Sequence, residues 1–253
     1  VSEVRTAPEI FDVSGRTAVV TGASSGIGER AALVLAAGGA RVVAVARRQE
    51  RLDDLARRDS RVVCVTGDVG VPGDRARAIE AAGGAVDVLV NNAATGGSVS
   101  TDDEDADAFA EVLGLNLVAA YDLSRRAAAV AGREGLSIIN VASVLGIVTG
   151  APVGGAAYAA SKAGLLGLTR ELAGQWARRS VRCNALVPGW FRTEMTAELF
   201  ADESATAWVH RNTLLRRSGD VAELDGALLF LASGASSFCT GQSIVVDGGW
   251  TAR

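Results

Sequence analysis

Histidine, cysteine and proline are scarce in this chain, and each shortage removes a class of function. There is one histidine, His210, among 253 residues, so a histidine-rich metal centre has no ligands to draw on. No metal site is expected. The three cysteines, Cys64, Cys183 and Cys239, lie far apart without a CxxC spacing. They read as free thiols in a reducing compartment, with Cys64 and Cys183 buried in the apolar runs VVCVTG and VRCNAL. Basic charge is not in excess: the formal net charge is -4 and the pI about 5.2, so no nucleic-acid partner is expected. The arginine pairs are dispersed among acids and read as solvated helix ends. No apolar run reaches membrane-spanning length, so no membrane partner is expected either. The start, VSEVRTAPEIFDVSG, has no apolar stretch of the signal-peptide kind, and the expected location is the cytoplasm. Position 1 is Val rather than Met, as in a processed or truncated start.

With only 4 prolines and 30 glycines, and 49% hydrophobic residues, the chain has the material for a large core. Short β-branched runs alternate with Ala/Leu/Arg-rich stretches. RTAVVTG, ARVVAVA, RVVCVTG, VDVLVNNA, LSIINVAS, SVRCNALVPG and SIVVDGG predict seven strands. Helices are expected over about 26–37, through ERLDDLARR and GDRARAIEAAG, over about 103–131, from YAASK to about 178, and within 194–233. The acidic stretch TDDEDAD precedes the long fourth helix, where acids complement the helix dipole. Apolar strands alternating with helices predict an α/β fold: one doubly wound parallel sheet of Rossmann type, covered on both faces. Residues 1–253 read as one domain, with 1–14 as an N-terminal extension. The segment 190–217 interrupts the rhythm and carries Trp190, Phe191, Met195, Leu199, Phe200 and Trp208. Two readings of it stand: a lid that lends the substrate an apolar pocket, or ordinary core packing.

TGASSGIG directly follows the first strand and opens a helix. Its Gly22, Gly26 and Gly28 allow a sharp turn and a close backbone approach, and the helix N-terminus favours an anion such as a pyrophosphate. The second strand ends in Ala46-Arg47-Arg48 rather than in the acid that binds a ribose 2′-hydroxyl. An acid would repel a 2′-phosphate and arginine can hold one, so NADP(H) is preferred and NAD(H) remains the alternative. The plainer reading of Arg47 and Arg48 is the start of a surface helix. Asp68, after the third strand, is placed to accept from an adenine amino group. Asn91 and Ala93 follow the fourth strand.

YAASK puts Tyr158 and Lys162 on one helix face, one turn apart. A free phenol titrates near pH 10, too high for base work near neutrality. A neighbouring ammonium and a cationic nicotinamide ring are expected to bring it down.

Taken in order, TGASSGIG, GDV, NNAA, IINVAS, YAASK and VPGWFRT resemble the short-chain dehydrogenase/reductase family over residues 16–249. The resemblance implies Tyr158 as general acid/base and Lys162 as the ribose-binding group that lowers its pKa. It implies Ser143 on the substrate oxygen and Asn116 in a water-linked proton relay to Lys162. Pro188, Gly189, Phe191 and Thr193 would hold the nicotinamide. Gly22, Ser24, Ser25, Ile27, Arg47, Arg48, Asp68, Val69, Asn91 and Ala93 would line the rest of the coenzyme. The activity implied is hydride transfer between NADP(H) and a small carbonyl or secondary alcohol, as in 3-oxoacyl-thioester reductases or sugar-acid and polyol dehydrogenases. The ending VDGGW is similar to that of some gluconate-type dehydrogenases. A homotetramer is implied, built on the last strand and on the small residues of the YAASK helix. Departures fall at the glycine-rich loop VLGIVTGAPVGGA, which borders the substrate, at NNAA, a cofactor-facing turn, and at TGGSVSTDDEDAD, the entry to the long helix; they leave the substrate, not the reaction class, open. A catalytically silent nucleotide binder is the competing reading from another class; such proteins usually lack the Tyr, Lys or Ser, all present here.

Overall fold

Val- and Ala-rich runs without a polar face cannot turn one side to water, so they pair inside a sheet that is covered twice. The computed structural model, which describes residues 4–252, shows this sheet. After a short helix α1 (Ala7–Ile10) come β1 (Thr17–Thr21), α2 (Gly26–Ala37), β2 (Arg41–Ala46), α3 (Gln49–Arg58), β3 (Val62–Thr66) and α4 (Pro72–Glu80). β4 (Val88–Asn91), α5 (Ala106–Leu113), α6 (Ala119–Ala129), β5 (Leu136–Val141), α7 (Ala156–Trp176) and β6 (Val181–Pro188) follow. α8 (Ala197–Ala201), α9 (Glu203–Asn212), α10 (Asp225–Ala232) and β7 (Ser243–Val246) end the order. All seven expected strands are present, paired parallel in the order β3-β2-β1-β4-β5-β6-β7.

Alternation along each strand divides the core in two. Val20, Val42, Val90 and Ile139 face α2, α3 and α10 through Leu35, Leu52 and Leu228. Val19, Val43, Leu89 and Ile138 face α4, α6 and α7 through Ile79, Leu123 and Leu172. The strand order reverses between β1 and β4, and loops at their carboxyl ends diverge to opposite faces. A crevice forms there, as it does in open α/β sheets generally. No described helix is long and apolar enough to cross a membrane.

The long helix expected over about 103–131 is not continuous. A 3₁₀ turn (Thr101–Asp103) comes first, and α5 begins only after Asp105, whose carboxylate accepts from the Ala108 N–H at 2.8 Å. Between α5 and α6 lies a π turn, Gly114–Val118, in which the Ala119 N–H reaches back to the Gly114 carbonyl. Cys183 is buried as expected, and burial pushes its thiol up to about 12. Cys64 is only partly buried and donates to the Leu52 carbonyl. Among the described residues no group of His, Cys, Asp and Glu could hold a metal ion.

One buried ion pair braces the loop after β3. Arg75 is 7% exposed; its guanidinium donates to the Val69 carbonyl at 2.7 Å, the Gly70 carbonyl at 3.1 Å and Asp122 Oδ2 at 2.7 Å. Burial pushes the Asp122 carboxyl up, but hydrogen bonds from Arg126, Arg75 and Arg125 outweigh it and hold the group well below the carboxylate range. A depressed carboxyl contributes stability that is full above its unfolded value, 3.8, and is lost as the pH falls below it. Asp122→Asn leaves Arg75 buried without its counter-ion, and a loss of about 3 kcal/mol at pH 7 is expected in denaturant titrations. The deficit relative to the parent should shrink as the pH falls below about 4.

Candidate active site

The crevice floor is a glycine turn locked to the end of β4. Gly22 and Gly26 have φ of +67° and +56°, which L side chains rarely adopt. A Cβ on Gly22 would stand 2.7 Å from Asn92 Nδ2, and one on Gly28 only 2.3 Å from the Gly22 carbonyl oxygen. The Thr21 hydroxyl accepts from the Asn92 and Ala93 N–H groups at 3.0 and 3.1 Å and lies within 3.3 Å of the Val90 carbonyl. The Asn92 amide returns to the Thr21 carbonyl at 2.9 Å. These bonds tie the ends of β1 and β4 together beneath the crevice, with the α2 N-terminus opening onto it.

The resulting cavity, about 440 Å³, runs from Arg47, Arg48 and Asp68 to Ser143, Tyr158 and Lys162. Every residue expected on the coenzyme lines it except Gly28 and Asn91. Gly28 packs beneath Gly22 and lets α2 approach the turn. Asn91 points the other way: its amide donates to Asn140 Oδ1, Ser124 Oγ and the Ala120 carbonyl inside the sheet. Asn92 lines the cavity instead, because successive strand residues face opposite sides and only one of the two asparagines can do so. Ala94 of NNAA and Met195 of the lid segment also line it, while Leu115, Glu194 and Thr196 line it without having been singled out.

At the far end, α7 starts at Ala156, which sets Tyr158 in its first turn. Lys162 is 3% exposed and donates to the Val141 carbonyl at 2.8 Å, with its ammonium 5.5 Å from the Tyr158 ring centroid. Burial lowers Lys162 to about 8. Burial also pushes the Tyr158 phenol above its ordinary value, and a hydrogen bond with Ser143 offsets part of that rise. In the chain alone desolvation dominates the phenol. Ser143 Oγ accepts from the Leu145 N–H at 3.1 Å, a bond that does not use its own hydrogen.

Asn116 lies in the π turn, buried and outside the cavity lining. Its Oδ1 accepts from the Thr95 N–H at 2.9 Å, and its Nδ2 donates to the Thr95 carbonyl and to Ser161 Oγ, both at 3.0 Å. Both amide hydrogens are spent, so the side chain braces the 95 loop against the Tyr–Lys helix and reaches no group of Lys162.

The lid residues are mostly engaged elsewhere. Trp190 and Trp208 stack edge-on against Trp250 at 5.5 and 5.2 Å, and Phe200 lies under the Arg192 guanidinium at 4.6 Å. Of the six apolar lid residues only Phe191 and Met195 line the main cavity.

The arrangement suits a nicotinamide dinucleotide: a helix N-terminus and bare backbone for a pyrophosphate, guanidinium groups at one end, and an ammonium with two unspent hydrogens at the other. A Cβ on Gly26 would stand 3.2 Å from Thr193 Cβ and close the gap between turn and strap.

Comparison with known proteins agrees with this geometry. The family model described as enoyl-(acyl carrier protein) reductase matches residues 22–251. The chain is 37% identical to 2-dehydro-3-deoxy-D-gluconate 5-dehydrogenase of Escherichia coli, over 96% of this chain and 98% of that protein. It superposes with a TM-score of 0.90 and 35% identity on a gluconate 5-dehydrogenase from Burkholderia cenocepacia in complex with NADP and tartrate, covering 98% and 100% of the two chains. A short-chain type dehydrogenase/reductase from Mycobacterium marinum gives a TM-score of 0.90 at 33% identity, with the same coverage.

The buried ammonium has a measurable cost. Lys162 binds its proton less tightly in the folded chain, so the unfolded chain holds more protons between pH 8 and 10.5 and stability rises with pH there. Lys162→Met should raise stability by ~1–3 kcal/mol at pH 7, the lower figure allowing for the lost bond to Val141. The advantage should shrink between pH 8 and 10.5 in thermal melts, and a gain independent of pH would rule out desolvation as its cause.

Proposed function

The chain belongs to the short-chain dehydrogenase/reductase family, and on that premise we propose that it interconverts a ketone and a secondary alcohol on a sugar acid or polyol, with NADP(H) preferred to NAD(H). The observation that carries this reading is the single cleft joining the glycine turn and Arg47–Arg48 to Ser143, Tyr158 and Lys162. Relatives that act on gluconate-type substrates support the substrate class. The diversion of the lid aromatics onto Trp250 supports it too, since few apolar groups are left to greet a fatty chain.

Bound nicotinamide would supply or accept the hydride. Arg47 and Arg48 hold the adenosine end, Asp68 and Val69 flank the adenine, and the α2 N-terminus with Ser24, Ser25 and Ile27 meets the pyrophosphate. Pro188, Gly189, Phe191 and Thr193 shape the nicotinamide end. Lys162 donates its two unspent hydrogens to the nicotinamide ribose. Ser143 donates to the substrate oxygen, and Tyr158 gives that oxygen its proton in reduction or takes it in oxidation. Burial raises the phenol in the chain alone, and the Lys162 ammonium beside it, with the positive charge an oxidised nicotinamide would bring, favours phenolate. Asn116, held by Thr95 and Ser161, anchors a water-linked proton relay to Lys162.

The proposal extends to organisation. The described residues form one domain, with 190–217 as the substrate lid. The protein assembles as a homotetramer in the cytoplasm. Phe238 is fully exposed, β7 is an edge strand with Val245 outward, and Gly174 on α7 has open space before it, all of which suit contact with further copies. Free thiols suit a reducing compartment.

The test combines binding and turnover. NADPH is expected to bind more tightly than NADH in fluorescence titrations, and gluconate-type ketones or their alcohols to turn over. Tyr158→Phe should keep coenzyme affinity within about twofold and lose at least ~100-fold in kcat. Equal loss of binding and turnover would remove Tyr158 from the chemistry.

A further inference from the structure

Arg48 is shared between the glycine turn and the lid. Its Nη2 donates to Ser24 Oγ at 2.9 Å, Ser25 Oγ at 3.0 Å and Glu194 Oε2 at 2.8 Å. Glu194 Oε1 lies 3.6 Å from Arg51 Nη2. Arg47, the other guanidinium at this end, is largely exposed and only 4.0 Å from Asp68 Oδ2. The carboxylate of Glu194 thus accepts from Arg48 Nη2, on a guanidinium that a 2′-phosphate would use. Hydrogen bonds from Arg48, then Ser25, hold the Glu194 carboxyl below its usual range, so it is fully charged near neutrality. Glu194 also starts the 3₁₀ turn Glu194–Thr196 at the head of the lid, directly after Thr193, which packs over Gly26.

We propose that Glu194 is a specificity-determining residue: an internal anion that competes with the coenzyme's adenosine 2′-phosphate for Arg48. The inference rests on the proposed coenzyme reading. A dianionic phosphate makes stronger charge-assisted bonds than a carboxylate and displaces it. The Arg48–Glu194 pair is half exposed on both sides, and such pairs are weak, so displacement is easy and the penalty modest. A coenzyme without the phosphate leaves the pair intact. The competition therefore narrows the preference for NADP(H) without abolishing it, and it couples the coenzyme's phosphate to the lid's first turn.

Fragments isolate the effect from catalysis. Adenosine 2′,5′-bisphosphate and ADP are titrated calorimetrically into the parent, Glu194→Gln and Arg48→Ala. Glu194→Gln should tighten the 2′-phosphorylated fragment about two- to fivefold and leave ADP unchanged. Unchanged or weaker binding of the bisphosphate, or equal tightening of both fragments, would overturn the competition. Arg48→Ala should weaken the bisphosphate more than ADP. If it does so while Glu194→Gln has no effect, the inference falls and the coenzyme reading survives. If Arg48→Ala leaves the bisphosphate untouched, the inference falls; if the parent binds the bisphosphate no more tightly than ADP, the coenzyme reading falls with it.

Discussion

The bond from Lys162 Nζ to the Val141 carbonyl is the contact on which the reacting end depends. It joins α7 to the end of β5, two residues before Ser143. That bond fastens α7 to the sheet beside Ser143, and the phenol of Tyr158 meets the Ser143 hydroxyl. An ammonium at 3% exposure is a poor choice for stability, since desolvation weakens its hold on the proton. A site that must present donors inside a closed cleft has to accept such a group. The same burial explains why the phenol is raised rather than lowered by the chain alone.

A second set of contacts makes the other end of the cleft rigid without making it charged. Thr21, Asn92 and the Gly22 carbonyl exchange bonds across the reversal of strand order. Glycine is needed at 22 because the backbone turns through positive φ, and at 28 because a side chain would strike the turn itself. The polar groups that fasten the turn are consumed by the fastening. What faces the cleft is backbone, serine hydroxyls and guanidinium, a surface suited to phosphate. The π turn does similar work on the substrate side. It carries Asn116 inward, where it clasps the 95 loop to Ser161, one residue before Lys162.

The lid is held from two directions. At its start Glu194 reaches the arginines of α3, and near its end Trp208 stacks on Trp250 in the tail. One attachment is polar and half exposed, the other apolar and buried. They differ in how easily they yield, and the polar one lies where a coenzyme phosphate would arrive.

The sheet, its seven strands, the glycine turn and the YAASK helix were legible in the sequence, because each rests on a local period or a short spacing. Short β-branched runs bounded by turn residues mean buried parallel strands, and i, i+4 means one helix face. Three matters were decided only by the tertiary structure. Asn91 and Asn92 are chemically identical, and which one faces the cleft follows from strand register. The break at 114–118 in the long helix has no sequence mark, because a π turn is chosen by what Asn116 can reach across the fold. The pairing of Arg48 with Glu194 joins residues 146 positions apart, and no local pattern encodes so distant a meeting. The sequence by itself determined which groups were available and which elements carry them. Their facing, burial and partners depend on contacts between elements, and so does the sign of the shift at Tyr158.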